Sequence, residues 1–187
     1  MGLPLCTPGE CAFGRIQVAP SGPIDADILL IGEAPGPEEL KQGIPFVGRA
    51  GRLLDRLLQD AGLRRAELRI TNTCGCVDLD REDRRPLPAE LAACRPRLDA
   101  EIESCDPRVI LLCGNTALAT FFPGFRIGEV YNYWRAVPGY VTPFHKYIGR
   151  TVIPTYHPAH VLRGAKQVQP LIVDALRAAR RIAEETP

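Results

Sequence analysis

Residues Asp27-Ile-Leu-Leu-Ile-Gly-Glu-Ala-Pro-Gly-Pro-Glu-Glu39 set the architecture expected for this chain. Four consecutive apolar residues, Ile28 to Ile31, predict a strand buried on both faces, as in a parallel sheet. Pro35 and its flanking glycines end that strand in a turn. Ligands of open α/β sheets bind at the carboxyl ends of strands, so this turn is a candidate site with Glu33 as its carboxylate. It is not a phosphate-binding GxGxxG loop, because Pro35 has no amide hydrogen. The alternative is an ordinary loop in which Glu33 is solvated.

The composition restricts the class of protein. The chain has 187 residues, of which 45% are hydrophobic, so a globular fold with its own core is expected. A net charge of +1 gives no overall attraction to nucleic acid, and such contact would need a local basic patch. The absence of a membrane-length apolar run and of a signal peptide predicts an intracellular (cytoplasmic) protein with no membrane partner. Thiols stay reduced there, so the seven cysteines predict metal or cluster ligation.

Strand and helix patterns alternate along the chain. Apolar runs predict further strands over 68–72, 109–113 and 151–154. Helices are predicted over 49–61, 89–104 and 169–185, and another begins after Gly114. Pro96 should kink or split the helix that contains it. This order predicts an α/β fold: a three-layer α/β/α sandwich with a central, mainly parallel four-stranded sheet. Residues 1–187 are expected to form a single domain.

Two segments lie outside that alternation. The N-terminal cysteine loop, 1–26, contains Cys6-Thr-Pro-Gly-Glu-Cys11, in which two thiols flank a turn and suit one metal centre. The insertion 121–149 is rich in aromatic and basic residues. It predicts either a nucleic-acid surface, because bases stack on aromatic rings while cations hold phosphates, or a packed β-hairpin with one solvated edge.

Three predicted strand ends carry a polar side chain: Glu33, Asn72 and His157. Such ends lie at one edge of a parallel sheet, so these side chains are expected to meet in one cleft with Phe46 from a Gly/Pro loop. The set suits a flat heterocycle. The Phe46 ring can stack on the face of such a molecule, and the Asn72 amide matches an imide edge with adjacent N–H and C=O groups. The imidazole can donate to a carbonyl that gains negative charge. Each residue also has an ordinary alternative, such as Phe46 in the core or His157 bonded to loop backbone.

The ordered set of motifs resembles the iron–sulfur uracil-DNA glycosylases, often called family four. The motifs are Gly32-Glu-Ala-Pro-Gly36, 43–55, Thr71-Asn72, Arg85-Pro-Leu-Pro88 with Cys94, 109–117 and 157–163. The resemblance implies an α/β sandwich, excision of uracil from DNA, and a [4Fe–4S] cluster on four cysteines. The positions that match the family pattern are Cys6, Cys11, Cys76 and Cys94, with Cys74 as a competitor for the third place. A four-cysteine zinc site is the alternative cofactor.

The resemblance also implies direct hydrolysis of a base taken out of the DNA stack. Phe46 would stack on uracil, and Asn72 would read its O4 and N3–H. His157 would donate to O2 as the base leaves, and Glu33 would stabilise the sugar cation or position the water. Further contacts with the base would come from Gly32 and Ala34, and contacts with DNA from Arg49, Arg52, Arg84, Arg85 and Arg163.

Other functions remain open from the sequence. One is a glycosylase for another deaminated base such as hypoxanthine, and another is a subtype that stays covalently attached to DNA. Residues 83–87 lack the His of the insert typical of that subtype. A third is a catalytically silent iron–sulfur module that binds nucleic acid. The expected partner is uracil-containing DNA, and a monomer is expected.

Overall fold

Four strands form the central sheet of the computed structural model, which describes residues 5–78, 80, 85–130 and 150–185. They are β1 (Ile28–Gly32), β2 (Leu68–Asn72), β3 (Val109–Cys113) and β4 (Thr151–Thr155). Within the described ranges all pairings are parallel, in the order β2-β1-β3-β4. Both faces of β1 and β3 are buried, which is why continuous apolar runs mark them. Parallel pairing places the carboxyl ends of the four strands along one edge of the sheet.

Helices cover both faces of the sheet. They are α1 (Pro37–Gln42), α2 (Arg49–Asp60), α3 (Pro88–Cys105), α4 (Asn115–Phe121), α5 (Pro158–Leu162) and α6 (Gln169–Glu184), with 3₁₀ turns at Arg65–Glu67 and Lys166–Val168. Leu30 and Leu111 face a core shared with α2 and α6. Leu29 and Ile110 face a second core, shared with α3 and α4, because successive side chains of a strand point to opposite faces. The predicted three-layer α/β/α sandwich is therefore confirmed.

The segment before β1 covers the outer edge of the sheet. Ser21 exchanges two backbone hydrogen bonds with Ile70 of β2, at 2.9 and 2.8 Å. The Cys6 amide donates to the carbonyl of Ala93 in α3 at 2.9 Å. An uncovered edge strand offers unpaired backbone groups to other chains. This segment thus protects the β2 edge and also brings the N-terminal cysteines to α3.

Helix α3 continues through Pro96, so the predicted split is wrong. A proline lacks the amide hydrogen that would bond the carbonyl four residues earlier, and here that carbonyl belongs to Ala92. Ala92 and Pro96 are both exposed, so water can satisfy the carbonyl. Buried Cys94 and Leu98 anchor the helix on the two sides of the proline. The other predicted helices and strands agree with the structure to within one residue at each end.

Two predicted segments lie partly outside the described residues: 79 and 81–84 of the polar loop, and 131–149 of the insertion. The two alternatives for the insertion therefore concern mostly residues outside the description. Within its described part, Phe121 is fully buried at the end of α4, whereas Phe125 is 53% exposed. Over the described ranges, every helix is too short or too polar to cross a membrane.

Pro96→Ala is expected to stabilise the protein. It restores the missing helix hydrogen bond at an exposed position, and a proline inside a helix costs up to about 3 kcal/mol relative to alanine. Thermal unfolding followed by circular dichroism should show a higher Tm. The matched control is Pro170→Ala, because Pro170 is also exposed but lies in the first turn of α6, where proline is compatible with the helix. An unchanged or lower Tm for Pro96→Ala would contradict this account.

Candidate functional site

A cavity of about 390 Å³ opens at the carboxyl edge of the sheet. Phe46, Asn72 and His157 line it together, as the strand-end argument predicted. Ala34 and Arg49 also line it. The three side chains come from three separate parts of the chain, so the parallel sheet is what brings them together.

The loop that carries Phe46 is held in an unusual conformation. Phe46 has a φ of 56°, in the left-handed region that non-glycine residues rarely adopt. Arg65 donates to the Phe46 carbonyl at 3.0 Å and to that of Pro45, and it pairs with Asp55 at 3.0 Å. A Cβ on Gly51 would lie 1.8 Å from the Phe46 carbonyl oxygen, so only glycine fits there. The Phe46 ring is thereby stacked against His157, with centroids 5.5 Å apart and planes 28° from parallel.

Glu39 is a structural residue of this site that the sequence analysis missed. Its buried carboxylate accepts hydrogen bonds from the amides of Val47 at 2.9 Å, Gly48 at 2.8 Å and Gly36 at 3.1 Å. A buried carboxylate is costly unless it is hydrogen-bonded, and these three amides supply that compensation. Glu39 thus ties the turn after β1 to the Phe46 loop. A Glu in the first turn of α1 was the available signal, but its partners are set by the tertiary structure.

Asn72 ends β2 directly opposite Gly32 at the end of β1. A Cβ on Gly32 would lie 2.4 Å from the Asn72 Oδ1 atom and 2.6 Å from the Phe46 ring, so glycine lets both side chains approach β1. Arg97, buried in α3, donates to the Asn72 carbonyl at 2.5 Å and to the hydroxyl of Thr71 at 3.3 Å. The Asn72 side-chain amide makes no hydrogen bond to the described residues, so its donor and acceptor are available to a ligand.

His157 is the N-cap residue of α5, and its Nδ1 accepts a hydrogen bond from the Ala159 amide at 3.1 Å. Burial, with a smaller contribution from the charge of Arg163, lowers the pKa of His157 to about 4. The imidazole is therefore neutral near pH 7, and its single proton is on Nε2, because Nδ1 is an acceptor. His157 thus bonds to loop backbone, which was the alternative to a ligand-binding role. Because that bond uses Nδ1, the Nε2–H group remains as a donor for the cavity.

Glu33 lies at a neighbouring cavity of about 520 Å³ rather than in the cavity that holds Phe46 and Asn72. The single cleft expected from the sequence is thus two adjoining cavities, which share Ala34 and His157. The Glu33 carboxylate accepts a hydrogen bond from the Thr116 hydroxyl at 2.5 Å. The two cavities separate because the Glu33 side chain turns toward Thr116 in α4.

The predicted DNA-contacting arginines divide between the two cavities. Arg49 lines the first, and Arg85 and Arg163 line the second. Arg126, which was not predicted, also lines the second cavity, at the beginning of the aromatic and basic insertion. The exposed Arg52 donates to the Val47 carbonyl at 3.2 Å, and Arg84 lies outside the described residues.

Five cysteines pack together between the N-terminal loop, the segment after β2 and helix α3. All five are buried: Cys6, Cys11, Cys74, Cys76 and Cys94. The Sγ atoms of Cys11 and Cys76 lie 2.7 Å apart, and the Cys94 Sγ lies 3.4 Å from those of both Cys6 and Cys74. The four predicted ligands and their competitor Cys74 therefore all belong to one group, which we call the cysteine cluster.

The chemistry of the cysteine cluster fits a metal centre. The sulfurs of Cys74, Cys76 and Cys94 lie within 4.8 Å of one another. Hydrogen bonds from Cys74 and Cys76 lower the pKa of the Cys94 thiol to about 2, while the bonds to Cys74 and Cys94 together with burial raise the pKa of Cys76. A bound metal would stabilise several thiolates at once. Cys105 and Cys113 are buried apart from the cluster, at the end of α3 and of β3.

The fold and these two sites define a class of protein: an α/β protein with a cavity suited to a planar heterocycle at the edge of its sheet and a group of buried cysteines suited to a metal. Comparison with known proteins identifies the family. The family model described as the Uracil DNA glycosylase superfamily matches residues 19–180.

Curated relatives give the same result. A protein named type-4 uracil-DNA glycosylase from Thermotoga maritima is 38% identical over 177 residues, covering 94% of this chain and 88% of the relative. Proteins of the same name from Sulfurisphaera tokodaii and Saccharolobus solfataricus are 38% and 37% identical, covering 73% and 80% of this chain and 61% and 68% of the relatives. The chain therefore belongs to the uracil-DNA glycosylase superfamily, in its type-4 family, as the resemblance of its motifs implied.

The protonation state of His157 can be tested directly. Nitrogen-detected NMR should show the neutral Nε2–H form from about pH 8 down to about pH 5, with titration near pH 4 instead of the ordinary value of about 6.5. The unfolded chain takes up this proton first, so the stability due to the neutral ring is fully present above pH 6.5 and is lost as the pH falls toward 4. His157→Gln should remove that part of the pH dependence. A His157 ring that titrates near pH 6.5 would contradict the assignment.

Proposed function

We propose that this protein is a DNA repair glycosylase that hydrolyses the N-glycosidic bond of uracil in DNA, releasing uracil and leaving an abasic site. The observation that carries the proposal is the convergence of Phe46, Asn72 and a neutral His157 on one cavity. The names of the relatives support the same reaction. The bond is unreachable inside a duplex, so the base enters the cavity after leaving the stack.

The cavity suits uracil in shape and hydrogen bonding. The Phe46 ring stacks on the face of the base, and the amide of Asn72 pairs with O4 and N3–H. Cytosine presents the opposite donor and acceptor pattern, so it would leave a buried amide unpaired, at a cost of about 1–3 kcal/mol. Gly32 and Ala34 bring backbone close to the base without a bulky side chain in the way.

Charge develops on both sides of the bond as it breaks. The bonding electrons leave with uracil, and the Nε2–H of His157 donates to O2, where negative charge accumulates. Water bonds to C1′ of the sugar, and the proton that it loses passes through solvent to the uracil anion, which leaves as neutral uracil. Glu33 stabilises the positive sugar or positions that water. Thr116 positions the Glu33 carboxylate through its 2.5 Å hydrogen bond.

The arginines at the cavities hold the DNA backbone. Arg85, Arg126 and Arg163 line the cavity that contains Glu33, and Arg49 stands at the mouth of the base cavity. Guanidinium groups bind phosphate oxygens without reading sequence. Arg52 and Arg84 extend this set in the proposal. Uracil-containing DNA is thus the proposed partner, for a monomer of one domain that works inside the cell.

We propose a [4Fe–4S] cluster on the cysteine cluster, because the thiols are buried together and their positions match the type-4 pattern. Cys6, Cys11, Cys76 and Cys94 are the proposed ligands, and zinc is the alternative cofactor. Bound there, the group would cross-link three chain segments rather than supply chemistry at the scissile bond. The cysteines that hold it would then fix α3 and the arginine-bearing loop that precedes it beside the DNA.

Glu33→Gln and His157→Gln test the reaction. In single-turnover cleavage of a uracil-containing oligonucleotide, His157→Gln should lower the rate by about a hundred- to a thousand-fold, since it removes a donor to developing charge. Glu33→Gln should lower it by about a hundred-fold or more. The matched control is Glu184→Gln, an exposed residue of α6 paired with Arg180, which should leave the rate unchanged.

Full activity in both variants would overturn the mechanism. Binding of uracil-containing DNA by the wild type without an abasic product would instead identify a silent binding module. An oligonucleotide with hypoxanthine in place of uracil tests the base range in the same assay.

Gly32→Ala tests the shape of the base cavity. The added Cβ would lie 2.4 Å from the Asn72 Oδ1 atom and 2.6 Å from the Phe46 ring, so both side chains must move. The variant should remain folded, and inhibition of cleavage by free uracil should weaken. The matched control is Gly128→Ala, whose Cβ would meet, among the residues the structure describes, the Tyr156 hydroxyl at 3.7 Å. Unchanged inhibition by uracil in Gly32→Ala would show that the base binds elsewhere.

A further inference from the structure

The cysteine cluster contains one thiol more than its proposed cofactor needs. A [4Fe–4S] cluster takes four cysteine ligands, and a structural zinc site also takes four. Five buried cysteines are in contact here. One of them is therefore surplus whichever cofactor is bound.

The geometry indicates which two cysteines share a place. Cys6 and Cys11 lie in the N-terminal loop and Cys94 in α3, whereas Cys74 and Cys76 flank the single residue Gly75. The sulfurs of Cys74, Cys76 and Cys94 all lie within 4.8 Å of one another, so either thiol of this turn is within reach of Cys94. The Cys76 sulfur lies 2.7 Å from that of Cys11, and the Cys74 sulfur lies 3.4 Å from that of Cys94.

The turn between these two cysteines is firmly held. The backbone amide of Val18 donates to the Gly75 carbonyl at 2.8 Å, and the backbone amide of Cys74 donates to the Glu33 carbonyl at 3.0 Å. A Cβ on Gly75 would lie 2.9 Å from Gln17 and 3.2 Å from the Nε of Arg97, so the chain is covered closely on that side. Both neighbouring thiols thus stay inside the cluster, rather than one of them pointing to solvent.

We propose that Cys74 and Cys76 are alternative ligands for one of the four places, so that either of them completes the set with Cys6, Cys11 and Cys94. This rests on the cofactor given under the proposed function. Removing Cys76 leaves Cys74 within reach of Cys94, and removing Cys74 leaves Cys76 beside Cys11. Cys94 has no such substitute, because Cys74 and Cys76 lie on one turn and fill one place between them. The consequence is a cofactor site that survives loss or oxidation of one thiol of the pair.

Cofactor content in serine variants tests the proposal without reference to activity. The proteins are purified under argon and reconstituted with ferrous iron and sulfide. Iron, acid-labile sulfide and zinc per chain are then measured, together with visible absorbance. Cys74→Ser and Cys76→Ser should each retain the loading of the wild type, whereas Cys74→Ser/Cys76→Ser and Cys94→Ser should lose it. Cys113→Ser, at a buried thiol outside the cluster, is the matched control and should load fully.

The outcomes separate the two proposals. A wild type that holds neither iron with sulfide nor zinc would overturn the cofactor itself. With a loaded wild type, loss of cofactor in Cys76→Ser alone or in Cys74→Ser alone would overturn the sharing, because that cysteine would be a dedicated ligand. Loading of the double variant, or of Cys94→Ser, would also overturn it. If a serine variant is unfolded by circular dichroism, the alanine variant replaces it, and an alanine variant that is also unfolded counts against the proposal.

Discussion

The parallel pairing of β1 with β2 is the constraint on which both sites depend. It places Gly32 opposite Asn72, and the ladder continues past the strands through bonds from Thr73 to the Gly32 carbonyl at 2.9 Å and from Cys74 to the Glu33 carbonyl at 3.0 Å. The turn that carries Glu33 and the segment that carries Cys74 are therefore fixed to each other by backbone hydrogen bonds. A slip of one residue would move every side chain of β2 to the other face of the sheet. The buried sheet therefore also fixes the positions of the Asn72 amide and of the thiols that follow it.

Helix α3 joins the two sites a second time. It carries Cys94 in the cysteine cluster and, one turn later, Arg97, whose guanidinium holds the Asn72 carbonyl. Arg97 is buried, and its Nε has no hydrogen-bond partner in the described part of the chain, lying 3.2 Å from where a Cβ of Gly75 would be. Leaving a buried donor unpaired is costly, so the packing of this turn must offset that cost. A group bound to Cys94 would therefore also hold Arg97 and, through it, the Asn72 backbone, which is how the proposed cofactor would support the proposed recognition of the base.

The local sequence pattern predicted the strands and helices, because burial on both faces of the sheet leaves continuous apolar runs. It also predicted that Phe46, Asn72 and His157 meet at one edge of the sheet, because parallel strands end together. It failed where the outcome depends on distant partners. The split at Pro96 was wrong because Ala92 is exposed, so water can satisfy its carbonyl. Arg65 and Arg97 bond to backbone carbonyls 19 to 25 residues away, and Glu39 bonds to amides of a loop that only the tertiary structure brings beside it, so no spacing in the sequence encodes these roles. The separation of Glu33 from the base cavity depends on Thr116 in another helix. The positive φ of Phe46 is imposed by Arg65 and by the room at Gly51.

The two adjoining cavities divide the charges of the substrate. The first cavity is lined by the Phe46 ring, the Asn72 amide and the neutral imidazole of His157, with Arg49 as its one arginine among the described residues, whereas the second is lined by Glu33, Glu129 and three arginines. A neutral base loses little on entering the first, and the three guanidinium groups of the second suit phosphates. Because Nδ1 of His157 accepts from the Ala159 amide, the one proton of the neutral ring is on Nε2, and in the proposed reaction it would need no reorganisation when charge appears on the departing base. His157 borders both cavities, so the proposed reaction would break the bond between base and sugar at the boundary between them.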